Sequence, residues 1–475
     1  MLKMRCKNTL ETKLNYYEGM KLSKLVAINL LLLPLIINYS AVKASENNEL
    51  ASVVLEPLVY KPADKTLVEN IVTKQLSNPL YSTGYGISIR NLTDGSVVFQ
   101  SNADDSMMPA SLTKIYTAAS NSITLDLDAK FVTKVKYLDN NLYLVGGGDP
   151  QLGTESNPRK ADLEDLAKQT AENLKKFNVF EVNLFVDDSS LGPLQRPADW
   201  LDNYFRSSEV HLISALNLDD PLAPGQAPDD PSITTGQTFA VYLIKNNIKV
   251  NGLVFRKKAP SEAFDVATEY SKSVAQIIED MLIISNNQDA EILARVASDI
   301  STKDPSTNAA TELVLKDVEE LGISSVDNAL TDTSGLSRSN KISPSDFTNL
   351  IYKTVVKPDL VIENKGDPTK FLTMPAFQIP VDTWPVFTGL PTGHGLGTME
   401  KRFNEDKSPG RGVVRAKTGT LNQVITLAGT VTTKDKVFLS FAILVNRVDK
   451  PNQVREELDN LLNEIANCEC AITNE

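Results

Sequence analysis

The sequence predicts an α+β protein in which an antiparallel sheet covered by helices is interrupted by a smaller inserted α/β domain. Strand patterns occur near both ends of the chain, at residues 85–100 and 412–446, and helical patterns lie between and after them. Strands and helices alternate from residue 130 to 258, which is typical of an α/β unit. A length of 475 residues exceeds one ordinary core, so we expect two or three domains.

The composition is that of a globular protein with an acidic balance. Hydrophobic residues make up 41% of the chain and charged residues 23%, and the formal net charge is −12. Nucleic acids and anionic membranes favour proteins with clustered lysines and arginines. The acidic balance therefore argues against both as partners and leaves small substrates open.

The N-terminus has the pattern of an export signal. A short basic region precedes an apolar run at residues 25–37, and small residues then offer a cleavage site after Ala44. We predict that residues 1–44 are a signal peptide, with Met20 as an alternative start. The mature protein would be exported to the periplasm or the extracellular cell-wall space. The run is short for a membrane span, and an uncleaved anchor is the alternative.

Three segments follow the signal. Residues 45–129 are predicted as the first part of the main domain, residues 130–258 as the inserted accessory domain and residues 259–475 as the second part of the main domain. The N-terminal hairpin could join the C-terminal strands in one sheet.

The predicted elements are a helix at 67–76, a hairpin at 85–90 and 96–100, a helix after Pro109, strands at 131–137 and 141–145, a helix at 161–177, a strand at 182–188, a loop at 218–232, a helix at 238–245, a strand at 248–255, helices at 274–284, 290–297, 311–321 and 343–353, strands at 412–416, 424–431 and 437–446, and a helix at 453–465.

Local signals set several of these ends. Asn78-Pro79 ends the first helix, and Thr93-Asp94-Gly95 is a turn between two alternating strands. Residues 343–346 have the pattern of a helix cap. The terminal helix has leucines and an isoleucine on one side, which predicts that this side is buried.

One hydroxyl–amine pair stands at the start of a predicted helix. Pro109 suits the first turn, because its missing N–H would have no partner there. Ser111 and Lys114 are three residues apart, so they share a helix face and their side chains can meet. A serine one turn from a lysine is a candidate nucleophile with its own base. The spacing alone is not specific, because residues 40–43 match it too.

Other common catalytic signatures are absent from the sequence. The chain has two histidines, His211 and His394, and no Gly-x-Ser-x-Gly, His-Glu-x-x-His or P-loop motif. Cys468 and Cys470, which remain after removal of the signal, could pair, but they form neither a zinc motif nor a disulfide framework. A serine enzyme could still use a histidine, but a lysine base is favoured, and no metal or cofactor is predicted.

Two further motifs lie in the second part of the main domain. Ser285-Asn286-Asn287 is a Ser-x-Asn in a polar break between two predicted helices, and Lys417-Thr418-Gly419-Thr420 is a Lys-Thr-Gly at the start of a predicted strand. Each motif alone is common. In this order, and each with its expected local structure, the three motifs together are specific.

With these motifs the chain resembles the class C low-molecular-weight penicillin-binding proteins, the D-alanyl-D-alanine carboxypeptidase/endopeptidase family (peptidase family S13). The resemblance implies a transpeptidase-like domain of the penicillin-binding-protein and β-lactamase type, with an insertion between the first two motifs. This insertion has room for one accessory domain, and the second, smaller one of the family is missing near residues 218–232. The resemblance runs from residue 86 to the terminal helix, and its further stretches are 142–150, 214–217, 332–338, 390–391 and 395–398.

The resemblance implies a role for each motif residue. Ser111 would attack the substrate carbonyl carbon, and Lys114 would take its proton after burial and the nearby cation of Lys417 lower its pKa. Ser285 would relay the proton to the leaving amine. The implied binding roles are Asn287 on the substrate amide, Lys417 and Thr418 on the terminal carboxylate, the backbone N–H groups of Ser111 and Thr420 in the oxyanion hole, and Gly419 in close approach to the substrate.

The resemblance therefore implies a serine-type D-Ala-D-Ala carboxypeptidase or endopeptidase that acts on peptidoglycan stem peptides. β-Lactam antibiotics would acylate Ser111, and no cofactor or metal is implied. Two alternatives stay open, namely a β-lactamase or esterase on the same scaffold, and a non-catalytic cell-wall-binding relic. The intact motifs speak against the relic. The sequence does not predict the oligomeric state or a preference between exo- and endo-cleavage.

Overall fold

The computed structural model of the protein describes residues 60–81, 84–154, 161–219, 225, 227–324, 326–356, 362–363, 371–372 and 382–472. The predicted signal peptide and the second Ser-x-x-Lys match at 40–43 lie outside these residues.

Twelve strands and eleven helices are numbered here along the described part of the chain. The strands are β1 Tyr85–Asn91, β2 Val97–Ser101, β3 Lys130–Leu138, β4 Asn141–Val145, β5 Glu181–Asp187, β6 Lys249–Arg256, β7 Phe264–Ser273, β8 Ile362–Glu363, β9 Phe371–Leu372, β10 Val414–Leu421, β11 Val424–Thr432 and β12 Phe438–Asn446. The helices are α1 Lys65–Leu76, α2 Thr113–Thr124, α3 Leu163–Lys176, α4 Asp202–Arg206, α5 Pro231–Lys245, α6 Val274–Ile284, α7 Asn287–Thr302, α8 Thr307–Glu320, α9 Pro344–Val355, α10 Trp384–Thr388 and α11 Pro451–Ala466.

One antiparallel sheet joins the N-terminal hairpin to the C-terminal strands. Its order is β10-β11-β12-β1-β2, so β1 pairs with β12 and the predicted union of the two ends is confirmed. All nine residues of β12 are buried, because helices cover both faces of this sheet. One apolar core contains residues of α2, α6, α7, α8 and α9, and a second contains residues of α1 and α11. The predicted α+β class is confirmed.

Sequence signals at helix ends correspond to real caps. The side chain of Ser343 accepts a hydrogen bond from the Asp346 N–H at the start of α9, and Pro344 occupies the first turn. Ser273 and Gln276 form a reciprocal capping box at the start of α6. Such caps are worth about 1 kcal/mol each.

A second sheet contains the strands of the predicted insertion. Its order is β6-β5-β4-β3-β7, with β4, β5 and β6 parallel and β3 antiparallel to both of its neighbours. Helices α3 and α5 contribute to one apolar core with these strands. Strand β7 lies after residue 258, where the sequence placed the end of the insertion, so this sheet extends to Ser273.

Several element boundaries differ from the sequence prediction, and two of these differences have a clear structural reason. Helix α5 begins at Pro231 rather than at 238, because the side chain of Asp230 accepts from the Ile233 N–H and caps it. The Lys-Thr-Gly motif lies within β10 rather than at the start of a strand. The pairing with β11 continues through it, and Lys417 lies opposite Ala428.

Cys468 and Cys470 form a disulfide just after α11, with their Cα atoms 5.2 Å apart. Cys470 is fully buried in the core that contains residues of α1 and α11. The pair is therefore part of the packing at the C-terminus.

Among the described residues, no helix has the length and hydropathy needed to span a membrane.

Candidate active site

Ser111 lies in a short 3-10 turn, Ala110–Leu112, that leads directly into α2. Ala110, immediately before it, has a φ of 50°, in the left-handed region that costs a non-glycine residue about 1–3 kcal/mol. The first ten residues of α2 are all buried. The half-buried hydroxyl of Ser111 is thus fixed at the edge of a packed core by a strained turn.

Lys114 is fully buried, one turn after Ser111. Its Nζ lies 2.6 Å from the Ser334 carbonyl oxygen, 2.7 Å from Asn287 Oδ1 and 3.3 Å from Ser111 Oγ. Burial lowers the pKa of Lys114 to about 8, although neighbouring carboxylates act to raise it. A neutral amine has two N–H donors and one lone pair. The two short contacts can take the donors, which leaves the lone pair for the Ser111 hydroxyl.

Ser285 and Asn287 stand in the break between α6 and α7. Ser285 ends α6 in the left-handed conformation, with a φ of 64°. Asn286 then caps α7, because its side chain accepts from the N–H groups of Gln288 and Asp289. This double constraint places the Asn287 side chain against Lys114 and leaves Ser285 half-exposed.

Lys417 brings the third motif to the same place. It is fully buried on β10, and its Nζ donates to Ser285 Oγ at 2.7 Å and to the Thr418 carbonyl oxygen at 2.8 Å. Burial, and next the charge of Lys114, lower the pKa of Lys417 well below its usual value. The structure therefore brings together all five residues predicted as catalytic.

Carboxylates as well as burial influence the pKa of Lys114. Burial is the main cause of its lowering, as expected, and neighbouring carboxylates act to raise it. The repulsion between the two lysines is mutual, and it contributes to the lowered pKa of Lys417. These carboxylates surround Lys114 and come from three different segments of the chain. They are Asp332, Glu291, Asp289 and Glu209.

The backbone of β10 presents donors at the edge of the sheet. The Ala416 N–H donates to the Pro391 carbonyl oxygen, on the side away from β11. Because amides alternate in direction along a strand, the N–H groups of Thr418 and Thr420 point to the same outer side. The Thr420 hydroxyl accepts from Arg455 of α11, at 3.4 Å. The direction of the Thr420 backbone N–H is compatible with the oxyanion-hole role that the resemblance implies for it.

Gly419 is required by a close contact within the protein, which the sequence did not predict. A Cβ at this position would lie 2.0 Å from Thr426 Oγ1 and 2.9 Å from the Pro109 carbonyl oxygen. The Thr426 hydroxyl itself donates to that carbonyl at 2.8 Å. The glycine therefore allows β10 to approach the Ser111 turn, and the predicted close approach to a substrate stays a prediction.

Sequence reasoning missed the loop that faces Lys114 from the other side. The resemblance included residues 332–338, but it gave no role to the Ser334 carbonyl oxygen that accepts from Lys114. Two N–H groups of this loop, those of Thr333 and Ser334, donate to Glu291 Oε1 at 3.0 and 2.8 Å. Glu291 also pairs with Arg295, and both side chains are fully buried. The sequence did contain a signal for this buried pair, namely a Glu and an Arg four residues apart in a predicted helix that is otherwise mostly apolar.

The two histidines have no hydrogen bond to Ser111 or Lys114 within the described residues. The backbone N–H of His211 donates to Gln288 Oε1, and burial lowers the pKa of its imidazole. Arg338 donates to the Asn422 carbonyl oxygen. These contacts hold neighbouring segments, and a lysine base remains the better match to the geometry.

A model of the D-Ala-D-Ala carboxypeptidase 3 (S13) family matches residues 68–224 and 218–465 of this chain. The chain belongs to this family. It is therefore a hydrolase of the D-Ala-D-Ala carboxypeptidase class, as the sequence predicts.

Named relatives agree with this family. A carboxypeptidase of Mycobacterium tuberculosis is 26% identical over 396 residues, which cover 80% of each chain. The carboxypeptidase DacB of Mycolicibacterium smegmatis is 26% identical over 411 residues, covering 83% of this chain and 84% of the relative. A crystal structure of penicillin-binding protein 4 of Haemophilus influenzae has a TM-score of 0.67 and 20% identity, and the match covers 84% of this chain and 99% of that one. That likeness establishes the shared fold.

Proposed function

We propose that this protein removes terminal D-alanine from peptidoglycan stem peptides through an acyl-enzyme on Ser111. The observation that carries the proposal is the meeting of three distant segments around one buried amine. Lys114 Nζ lies 3.3 Å from Ser111 Oγ and 2.7 Å from Asn287 Oδ1, and Lys417 Nζ lies 2.7 Å from Ser285 Oγ. Catalytic hydrogen bonds are often long before substrate binds, so the Ser111 contact fits a base that tightens on binding.

In acylation, Ser111 Oγ attacks the carbonyl carbon of the D-Ala-D-Ala peptide bond while its proton passes to neutral Lys114. The negative charge that develops on the carbonyl oxygen is stabilised by the backbone N–H groups of Ser111 and Thr420. The C–N bond then breaks, and the leaving amine takes up the proton through Ser285. D-alanine departs and the shortened peptide remains as an ester on Ser111. Water, deprotonated by Lys114, attacks this ester and restores the Ser111 hydroxyl.

Recognition of the terminal carboxylate rests on Lys417 and Thr418. The lowered pKa of Lys417 means that its buried surroundings disfavour the charged form. A carboxylate beside it would restore the charged form, because an opposite charge raises the pKa of an amine. Substrate binding is therefore expected to draw a proton onto Lys417.

We also propose that β-lactams acylate Ser111 and that D-alanyl cross-bridges are cleaved by the same chemistry. A β-lactam ring presents a carbonyl and a carboxylate to the same two binding features. A solved structure of penicillin-binding protein 4 of Haemophilus influenzae contains a β-lactam, and its TM-score to this chain is 0.60.

The proposed setting is outside the cytoplasmic membrane. The substrate is a cell-wall peptide, and residues 1–44 have the pattern of a signal peptide. Mass spectrometry of the mature N-terminus after expression in a bacterial host tests this point, and a chain that still starts at residue 1 or 20 would contradict cleavage after Ala44.

We further propose that the second sheet and its helices form one inserted domain, which extends to Ser273 rather than ending at residue 258.

A defined cross-linked muropeptide tests the reaction. We expect the purified protein to release D-alanine, detected by mass spectrometry, and a labelled penicillin to modify Ser111 as located by peptide mapping. The Ser111→Ala variant should do neither. D-alanine release by Ser111→Ala, or no labelling of the intact protein, would contradict the proposal, and the ratio of tetrapeptide to cleaved dimer would separate exo- from endo-cleavage.

A further inference from the structure

The inserted segment at residues 199–211 contacts the groups that hold Lys114. This segment lies between β5 and β6, within the insertion, and it is anchored by apolar contacts. Trp200, Tyr204 and Val210 are buried in one cluster with Ile292 of α7 and Leu336 of the 332–338 loop. The cluster fixes the segment against the helix and the loop that face Lys114.

A series of hydrogen bonds connects Trp200 to Lys114 through a single peptide group. Trp200 Nε1 donates to Asp332 Oδ2 at 2.7 Å, and Asp332 Oδ1 accepts from the Gly335 N–H at 2.9 Å. The Gly335 N–H and the Ser334 carbonyl are the two ends of one peptide unit. That carbonyl accepts from Lys114 Nζ at 2.6 Å. A carboxylate on the N–H end polarises the carbonyl end toward Lys114.

A second path runs from Glu209 to Lys114 through Asn287. The Asn287 Nδ2 group donates to the Glu209 carbonyl oxygen at 2.9 Å, which fixes the amide so that Oδ1 faces Lys114 Nζ. Both short acceptors of Lys114 are therefore oriented by the inserted segment. The loop cannot shift freely either, because a Cβ on Gly335 would lie 2.0 Å from the Ala110 carbonyl oxygen.

We infer that the inserted segment orients the catalytic lysine, with Trp200 and the Glu209 backbone as positioning groups that act through Asp332 and Asn287. The inference rests on the proposed function, in which Lys114 is the base. It gives the insertion a part in the chemistry, in addition to any role in binding the cell wall.

The charges around Lys114 predict the direction in which its pKa should change. The ionisable groups that face Lys114 are Lys417 on β10, Glu291 and Asp289 on α7, Asp332 on the loop and Glu209 in the inserted segment. Burial and the nearby Glu291 raise the pKa of Asp332 to about 6, and the Trp200 hydrogen bond acts to lower it. Loss of that N–H would make Asp332 more often neutral. Because the Asp332 charge raises the pKa of Lys114, Trp200→Phe should lower the pKa of Lys114.

The test compares Trp200→Phe with Tyr204→Phe in the full-length protein. Tyr204 belongs to the same segment and donates to the Leu336 carbonyl oxygen at 3.0 Å, so its variant removes a similar bond without touching Asp332. The Lys114 pKa is read from ¹³Cε-lysine NMR, with the signal assigned by its loss in Lys114→Met. We expect Trp200→Phe to lower this pKa and to reduce the plateau rate of penicillin acylation, measured at high pH, about tenfold. The acid limb of the pH–rate profile, in which the rate rises with pH, should move to lower pH. Tyr204→Phe should leave the Lys114 pKa and the acid limb unchanged.

Asp332→Asn provides a second variant if Trp200→Phe unfolds. It keeps an acceptor for the Gly335 N–H and removes the charge, so it should lower the Lys114 pKa at least as far. Equal Lys114 pKa values in Trp200→Phe, Asp332→Asn and the unmodified protein would overturn the inference while penicillin labelling still supports the proposed function. A shifted Lys114 pKa in a protein that penicillin never labels would overturn the proposed function, and with it the catalytic part of the inference, while the effect of the segment on Lys114 itself would remain.

Discussion

The amide oxygen of Asn287 lies 2.7 Å from the buried side-chain nitrogen of Lys114, while the amide nitrogen of Asn287 donates to the Glu209 carbonyl oxygen. A side-chain amide accepts at its oxygen and donates at its nitrogen, so Asn287 makes both contacts without carrying a charge. Neutrality matters, because a charged acceptor would hold Lys114 in its protonated form. Asn287 can therefore orient the lysine without disabling it as a base.

Asn287→Asp tests this relationship with almost no change in shape. A carboxylate in contact with Lys114 should raise its pKa by about 1 to 3 pH units. The acid limb of penicillin acylation, measured with a fluorescent penicillin at subsaturating concentration, should move to higher pH by that amount. Asn286→Asp is the matched control, since Asp is an equally good helix cap and Asn286 has no bond to Lys114. An unchanged limb in Asn287→Asp would show that Lys114 is not the titrating base.

The unmodified protein should show a specific pH dependence. Only neutral Lys114 can accept the Ser111 proton, and burial lowers its pKa to about 8. Acylation should therefore be slow at low pH, rise about tenfold per pH unit below that pKa, and level off above it. Stopped-flow measurement of the second-order acylation rate between pH 6 and 9 checks the sign. A rate that is flat or falls with pH in this window would exclude a lysine base with this pKa.

Local patterns in the sequence predicted most of the main sheet and its helices. Strands β11 and β12 are mostly apolar runs rich in Val, Ile, Leu and Thr, and α9 carries its cap in its own sequence, so short-range signals suffice. The order of the three motifs indicated Ser111 and its partners. In each of these cases, the information lies within a few neighbouring residues.

Long-range contacts could not be predicted in the same way. Strand β7 is mixed in polarity, and its partner β3 lies more than 100 residues earlier, so its periodicity is weak and its pairing is not local. Trp200 and Asp332 are 132 residues apart in the chain, and their bond exists only because the inserted segment packs against the loop. The contact between Gly419 and Thr426 could not be predicted either, because a sequence does not reveal which side chain of the neighbouring strand occupies the adjacent space.

The buried pair of Glu291 and Arg295 should matter for stability. Both side chains are fully buried and 2.6 Å apart, and Glu291 also holds two loop N–H groups. Arg295→Met would leave a buried carboxylate without its partner, at a cost of about 3–5 kcal/mol in the free energy of unfolding. Urea unfolding followed by circular dichroism measures this loss. Lys316→Met, which breaks an exposed pair with Glu320, should cost less than about 0.5 kcal/mol. Similar losses in the two variants would refute the structural importance of the buried pair.

Gly419 offers a test of the contact between β10 and the Ser111 turn. In Gly419→Ala the new methyl group would lie 2.0 Å from Thr426 Oγ1, so the strand must move away from Pro109 and the oxyanion hole must widen. We expect penicillin acylation to fall by about 10²-fold, a size typical of a lost oxyanion donor.

The double variant Gly419→Ala/Thr426→Ala removes the clashing oxygen and should recover part of that loss. Thr426→Ala alone loses only the bond to the Pro109 carbonyl oxygen and should have a smaller effect. The two substitutions are therefore expected to be strongly non-additive in a double-mutant cycle of acylation rates. Additive effects would mean that Gly419 is required by the substrate, as the sequence first suggested, rather than by Thr426.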